Sequence, residues 1–428
     1  MVRGWGLTGG GSLAAAVLGI AVVSAQSTSI WVSRDHPAIQ YSTRRADDAI
    51  VKLNESLEKG SLKLAFDAPP RGYLASVLKA LDIPVSSQTL VFSENSLQRD
   101  HISKNTPRAV YFNDTVAIGW AKGADTIEAI ALDRNQGVQF YSIRQQPQAK
   151  AQFIRRGDCL QCHLLPETDG VPGVLTMSVL PLSDNKNEYA QGWAMDHRTP
   201  LEDRWGGWYV TGAQVPAKHL GNVPVLHVPR SYVRADSAPR LQTVSEAFDA
   251  AAYLAPHSDI AALMVLNHQT HATNLLIRLN WLARIAAHDS PKGGVLPSQA
   301  RETAKELADY LLFADEAPLP SAIRGASEYA SQFSSRGPRD TKGRSLRELD
   351  LTRRLLRYPC SYMIYSEAFD ALPLPARTLV YERMWQVLSG AAKDWDYSKL
   401  TPADRRAIIE ILRDTKPDLP AYFQAVTR

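Results

Sequence analysis

The chain has 428 residues, 45% of them hydrophobic, and its 48 Lys and Arg nearly balance 44 Asp and Glu for a formal net charge of +4. This is an ordinary globular composition, long enough for roughly two or three domains or for one large elaborated core. The small net charge argues against a nucleic-acid partner, and no internal repeat or low-complexity segment points to a solenoid or a disordered chain.

The first predicted element is an export signal. Arg3 precedes an apolar run from Leu13 to Val23, and Val23-Ser24-Ala25 offers small residues to a signal peptidase. Residues 1–25 therefore read as a cleaved signal peptide, with Gln26 leading a periplasmic mature chain. An uncleaved anchor is the rival reading, but the run falls short of the roughly 20 residues a spanning helix needs. No later segment is apolar and long enough to span, so no stable transmembrane span is expected after cleavage.

Residues 26–145 are predicted to form an α/β region. Asp47–Leu57 reads as an amphipathic helix stopped by Gly60, and Tyr73–Leu81 as another stopped before Pro84. The period then becomes strand-like. Gln88–Phe92 is a short run, residues 108–120 read as strand, Asn-Asp turn, strand, and residues 126–143 as a second hairpin turning at Asp133–Gly137. A small antiparallel sheet follows from these hairpins, and its last strand leads almost directly into the most informative stretch.

That stretch, RRGDCLQCHLLP, opens the region 146–235. It holds two of the chain's three cysteines, Cys159 and Cys162, with His163 directly after the second. With ten histidines in the chain, C-x-x-C-H is expected by chance only about 0.0005 times. Three chemistries use such a motif. In covalent haem c each thiol adds across a vinyl group and the adjacent histidine is the proximal iron ligand. A zinc site would need two further ligands from elsewhere. A redox pair would call for a βαβ context, which the pattern lacks. In an oxidising compartment free thiols at this spacing tend toward a disulfide unless something holds them, and haem does so. The i, i+3 spacing puts both sulfurs on one side of a helical turn. Arg155 and Arg156 precede the motif as possible partners for haem propionates. The rest of this region is rich in Pro and Gly and reads as long ordered loops with short strands such as Gly207–Gly212. Trp205-Gly206-Gly207-Trp208-Tyr209 is a candidate pocket wall.

Residues 236–428 are predicted to be mostly helical. Ser258–His288 carries one long periodic pattern, roughly 46 Å if unbroken. Its apolar stripe runs Ile260, Met264, His268, His271, Leu275, Leu279, Leu282, which places His268 and His271 on the buried face. Ser334–Gly343 is polar and reads as a mobile loop. Ser345-Leu346-Arg347-Glu348 has the form of a capping box heading a helix that Pro359 ends, with Arg353, Arg354 and Arg357 at its cationic end. Thr401-Pro402-Ala403-Asp404 opens the last helix. Cys360 reads as a small buried hydrophobe.

A distal iron ligand is not fixed by the motif. His268, His271, Met177 and His197 are the candidates, with His219 and His227 nearby; a sixth position left open would point instead to ligand binding or catalysis.

RAVYFNDTVAIGW, FIRRGDCLQCH, DHRTPLEDRWGGWYVTG, LMVLNHQTH, RYPCSYMIYSEAFDALP and ADRRAIIEILRDTKPDLP together resemble a group of large exported bacterial proteins described as cytochrome c domain proteins. The resemblance runs from about residue 90 to the end. It implies one c-type haem on Cys159, Cys162 and His163, and an exported location. With the compact cytochromes c the chain shares only C-x-x-C-H.

The sequence thus predicts an α+β fold: a small antiparallel N-terminal sheet leading into a haem c-binding loop region, then a mostly helical C-terminal half. The function expected is that of a periplasmic monohaem c-type cytochrome passing single electrons to a redox partner protein or small electron carrier. The alternatives are a peroxidase-like haem oxidoreductase with an open or gated iron site, and a haem-based redox or gas sensor.

Overall fold

The computed structural model describes residues 30–179, 192–223, 238–394 and 397–424. The expected signal peptide and His227 lie outside the described residues. The fold is α+β, with an antiparallel sheet in the N-terminal half and a helical C-terminal half. The helices are α1 (Ala49–Glu58), α2 (Leu74–Ala80), α3 (Leu160–His163), α4 (Ile260–Asp289), α5 (Ser298–Leu311), α6 (Tyr329–Ser335), α7 (Glu367–Asp370), α8 (Leu374–Leu388) and α9 (Pro402–Thr415). The strands are β1 (Thr89–Val91), β2 (Arg108–Phe112), β3 (Val116–Trp120), β4 (Thr126–Asp133), β5 (Gly137–Arg144), β6 (Ile154–Arg155), β7 (Met177–Val179), β8 (Gly192–Ala194), β9 (Trp208–Tyr209), β10 (Gly212–Gln214) and β11 (Arg324–Gly325).

Seven strands form one antiparallel sheet in the order β6-β5-β4-β3-β2-β1-β9. Its two hairpins lie where turn chemistry puts them. Asn113 Oδ1 accepts from Thr115 and Val116 N–H at 3.0 and 2.9 Å to close β2 on β3. Asp133 Oδ1 accepts from Asn135 and Gln136 N–H, each at 2.7 Å, to close β4 on β5. Side-chain carboxylates and amides that mimic a backbone turn are the physical basis of both. Gly137 leaves the second turn at φ +77°, and Ile277 of α4 sits where a Cβ would be, so glycine allows both the bend and the helix's approach.

The sheet's two faces differ. One carries Ala109, Tyr111, Ile118, Trp120, Ile127 and Ala129, all buried with Ile50 and Leu53 of α1 and Leu74 and Val77 of α2. Alternation by two fixes the opposite set on the other face. There Phe112, Val138 and Phe140 join the large core around α4, Val91, Ala117, Ile130 and Leu132 pack against it half-buried, and Val110 is half-buried beside them.

The 30-residue α4 is the axis of the helical half, and Asp259 caps it by accepting from Ala261 and Ala262 N–H. Most of its surface is apolar and buried, as expected of a helix packed on several sides. Helices α5, α7 and α8, the loop 171–178 and the second sheet face close around it, so sheet and helices share one hydrophobic cluster.

One expectation in the helical half needs correction. Residues 345–359 form turns, not a helix. The local capping contacts are made: Ser345 N–H reaches Glu348 Oε1 at 3.0 Å and Arg347 N–H reaches Ser345 Oγ at 3.2 Å. The chain turns away because Arg347 is drawn to the β2–β3 hairpin, where it pairs with Asp114 at 2.8 and 3.0 Å and lies between the rings of Phe333 and Tyr362. A bidentate ion pair whose guanidinium is buried against two aromatic rings outweighs a first helical turn. Arg353, Arg354 and Arg357 accordingly serve no helix end; they pair with Asp350, Asp404 and Glu348. The stretch 334–343 begins with the last two residues of α6 and is otherwise loop, as expected; it touches α9, where Thr341 bonds Asp414 at 2.6 Å and Lys342 bonds Glu410 at 2.8 Å.

Candidate functional site

Strand β6 at the sheet edge delivers the chain into the single turn α3, so C-x-x-C-H sits against the half-buried sheet face. His163 ends the turn, and its N–H bonds the Cys159 carbonyl at 3.1 Å. All three cysteines are free thiols, Cys159 half-buried, Cys162 exposed and Cys360 buried. Burial, with Glu128 and Asp158 nearby, pushes the Cys159 thiol up to about 11.

His163 has the geometry of a metal ligand. Its Nδ1 lies 3.0 Å from the Gly173 carbonyl. A carbonyl only accepts, so Nδ1 carries the proton. Burial lowers the ring's pKa and keeps it neutral, which leaves the Nε2 lone pair for another partner. Phe140 of β5 packs on the ring at 4.8 Å between centroids.

The floor beside this turn is the half-buried sheet face, with Val110, Ala117 and Ile130 at its centre. Arg108 lies flat across Gly119, where any Cβ would collide with its guanidinium, and pairs with Glu128 at 2.5 Å. Its Nε is buried and has no hydrogen-bond partner among the described residues. The far border is set by residues 173–177. The Gly173 carbonyl bonds a ring packed on β5, and the Met177 carbonyl accepts from Trp208 Nε1 of β9 at 2.7 Å, so this segment bridges the middle strands. Asn274 of α4 holds it by bonding Val174 N–H and C=O at 2.9 and 2.8 Å. Met177 itself is half-buried.

The two arginines before the motif are engaged by protein groups. Arg155 donates to the carbonyls of Tyr41 and Arg44 and lies over the Tyr41 ring. Arg156 forks onto Asp158 and reaches Ser142 Oγ at 3.1 Å. Arg108 escaped sequence reasoning because nothing in RAVYF marks a strand arginine as facing the turn; only β2–β3 register, with glycine opposite, could have suggested it.

The histidines nominated as distal ligands form a separate cluster on the α5 side of α4. His268 bonds Ser361 Oγ through Nε2 at 2.6 Å and His197 Nδ1 through its own Nδ1 at 2.8 Å. Tyr310 and Phe313 pack on the pair. Burial holds His268 down to about 3 and His197 well below the ordinary histidine range, so both rings are neutral. His197 Nε2 has no partner among the described residues, and His197 borders a cavity of about 230 Å³ with Arg198, Glu306 and Tyr310. His271 receives Arg198 Nη2 at 3.0 Å on Nε2 and faces Asp169 at 3.4 Å with Nδ1. His219 is buried beside Trp205, and burial lowers it to about 4. Of the Trp205–Tyr209 stretch, Trp208 pairs with Val91 at the site's edge, whereas Trp205 turns into the core to bond Asn267.

Comparison with family models, with curated proteins and with solved structures finds no match. No helix among the described residues is long and apolar enough to cross a membrane.

Proposed function

We propose that this is an exported monohaem c-type cytochrome, with haem c held by thioethers at Cys159 and Cys162 and ligated by His163. The observation that carries the reading is the Gly173 carbonyl on His163 Nδ1, which orients the ring and reserves Nε2 for iron at a C-x-x-C-H turn. The half-buried apolar face suits a flat hydrophobic group, and Arg108, whose buried Nε–H has no partner among the described residues, lies on that face. A bound haem would supply a one-electron centre whose potential follows its axial ligands and burial. The chain's own part is to fix His163, exclude water over Val110, Ala117 and Ile130, and present the exposed Cys162 edge to a redox partner protein or small carrier.

Zinc is the weaker reading. Among the described residues, the one group of three or more His, Cys, Asp or Glu with mutually close ligand atoms lies elsewhere and includes neither cysteine.

The sixth iron position decides between electron transfer and the alternatives, a haem oxidoreductase or a gas or redox sensor. His268 is hydrogen-bonded through both ring nitrogens and His271 receives Arg198, and both lie with His197 on the α5 side of α4. Met177, on the segment bordering the same face as His163, is the protein ligand this reading favours, with an open site as its rival. Met177 ligation gives a low-spin spectrum that Met177→Ala converts to high-spin. A high-spin native spectrum with reversible CO binding favours the oxidoreductase or sensor reading. The first test is the intact mass of denatured protein matured in a host that attaches c-type haem: residues 26–428 plus one haem is expected, and a cleaved chain without haem removes the cytochrome reading.

A further inference from the structure

We infer that His36, His288 and Asp289 form a surface site for a divalent transition-metal ion of the zinc class. The three ligand atoms all lie within 4.8 Å of one another. His36 Nε2 is 3.2 Å from Asp289 Oδ1, and His288 Nδ1 is 3.0 Å from it. An ion that holds N and O ligands at about 2.0–2.1 Å in a tetrahedron sets them about 3.3 Å apart, so two edges already match within a few tenths of an ångström.

The site is built before any ion arrives. His36 begins a tight turn in which Ile39 and Gln40 N–H both return to its carbonyl, at 2.7 and 2.9 Å. Arg284, one helical turn before His288, clamps that turn by donating to the Ala38 carbonyl at 2.6 Å and to Asn135. The N-terminal segment is thereby pinned to the last turn of α4, the negative end of a 30-residue helix, which favours a cation. His288 and Asp289 are exposed and His36 half-buried, so an ion has access and water can complete the fourth position.

The other histidine–carboxylate group lacks these features. At His271 the Arg198 guanidinium already occupies the cation's place, 3.0 Å from Nε2. No arginine or lysine is hydrogen-bonded to a ligand atom of the His36 group among the described residues. One local change accompanies binding. Ala38 N–H donates to His36 Nδ1 at 3.2 Å, so the ion-free ring carries its proton on Nε2, toward Asp289. Ligation through Nε2 moves that proton to Nδ1 and turns the Ala38 amide to solvent, and acid weakens binding because the ligands must be deprotonated.

The inference is independent of haem, and its test keeps the two apart. The purified mature protein, and in parallel its Cys159→Ser/Cys162→Ser variant, whose thiolates can no longer compete for metal, are titrated with Zn²⁺ by calorimetry and with Co²⁺ by visible absorption. One equivalent bound in both proteins is expected, with a tetrahedral Co²⁺ spectrum. His288→Ala and His36→Ala, each with unchanged circular dichroism, should weaken binding roughly tenfold or more. The inference is overturned if the cysteine variant binds no zinc, or if the His36→Ala/His288→Ala double variant binds it as tightly as its parent.

Discussion

Two histidine regions flank the segment 173–178, and they are built in opposite ways. Among the described residues, the His163 ring has one hydrogen-bond partner, a carbonyl on Nδ1, and Nε2 is unclaimed beside two thiols on a half-exposed turn. At His197 and His268 the described residues supply partners for three of four ring nitrogens and enclose them in aromatic rings. A histidine whose nitrogens are both consumed by protein, as at His268, stabilises the fold; one held by a single nitrogen on a half-exposed turn beside two thiols, as at His163, is prepared for a ligand. The apolar helix face that carries His268 is thus the mark of a satisfied core residue.

The largest effect expected from this comparison is at the turn. Cys159→Ala with Cys162→Ala should abolish covalent haem altogether, read as the loss of one haem from the intact mass, while the far-ultraviolet circular dichroism of the chain is retained. His163→Ala should allow attachment yet change the ferric spectrum. Loss of the fold in either variant would mean that the turn serves the core, where Cys159 and Leu160 pack, before it serves a ligand.

The reverse pattern is expected at the buried pair. His268→Ala opens a cavity and leaves His197 Nδ1 and Ser361 Oγ without their partner, which should cost about 2–4 kcal/mol by chemical denaturation. Haem attachment should be unchanged. A variant as stable as the parent would show that the pair is not structural, and distal ligation by His268 would return to consideration.

Much of this was legible beforehand. Both hairpins were readable because Asn113-Asp114 and Asp133–Gly137 act locally. The long helix was readable because its pattern is long and its Asp259 cap lies beside it. The cysteine turn was readable because its three residues are contiguous. What stayed hidden depends on distant partners. Arg347 trades a helix for Asp114, 233 positions away in sequence. Arg108 faces the cysteine turn only through sheet register, and His197 meets His268 only once loop and helix are packed.

Acidity should destabilise the chain by a smaller margin, through its buried histidines. His268 is lowered by burial from 6.5 to about 3, and His219 to about 4. Their folded values lie below the unfolded one, so the unfolded chain binds more protons as pH falls. Stability from these groups is complete above about 6.5 and is lost as pH drops toward their folded values, by at most about 1.4 kcal/mol per pH unit for each. Denaturation midpoints at pH 7 and pH 5 should show the loss, and His268→Gln should flatten the slope. Equal slopes in parent and variant would mean that His268 does not titrate on unfolding.

The smallest effect calibrates the others. Thr401 caps α9: its Oγ1 receives Asp404 N–H at 3.1 Å, and Asp404 returns to Thr401 N–H at 3.2 Å. Asp404 is further held by Arg354 at 2.7 Å, so the carboxylate stays in place when the hydroxyl is removed. Thr401→Ala should therefore cost only about 1 kcal/mol, and Thr401→Ser should restore most of it. The cap lies far in sequence from both histidine regions and serves only its own helix. If removing it costs as much as His268→Ala, the buried pair contributes no more than an ordinary surface hydrogen bond, and the distinction between a satisfied histidine and a prepared one loses its energetic basis.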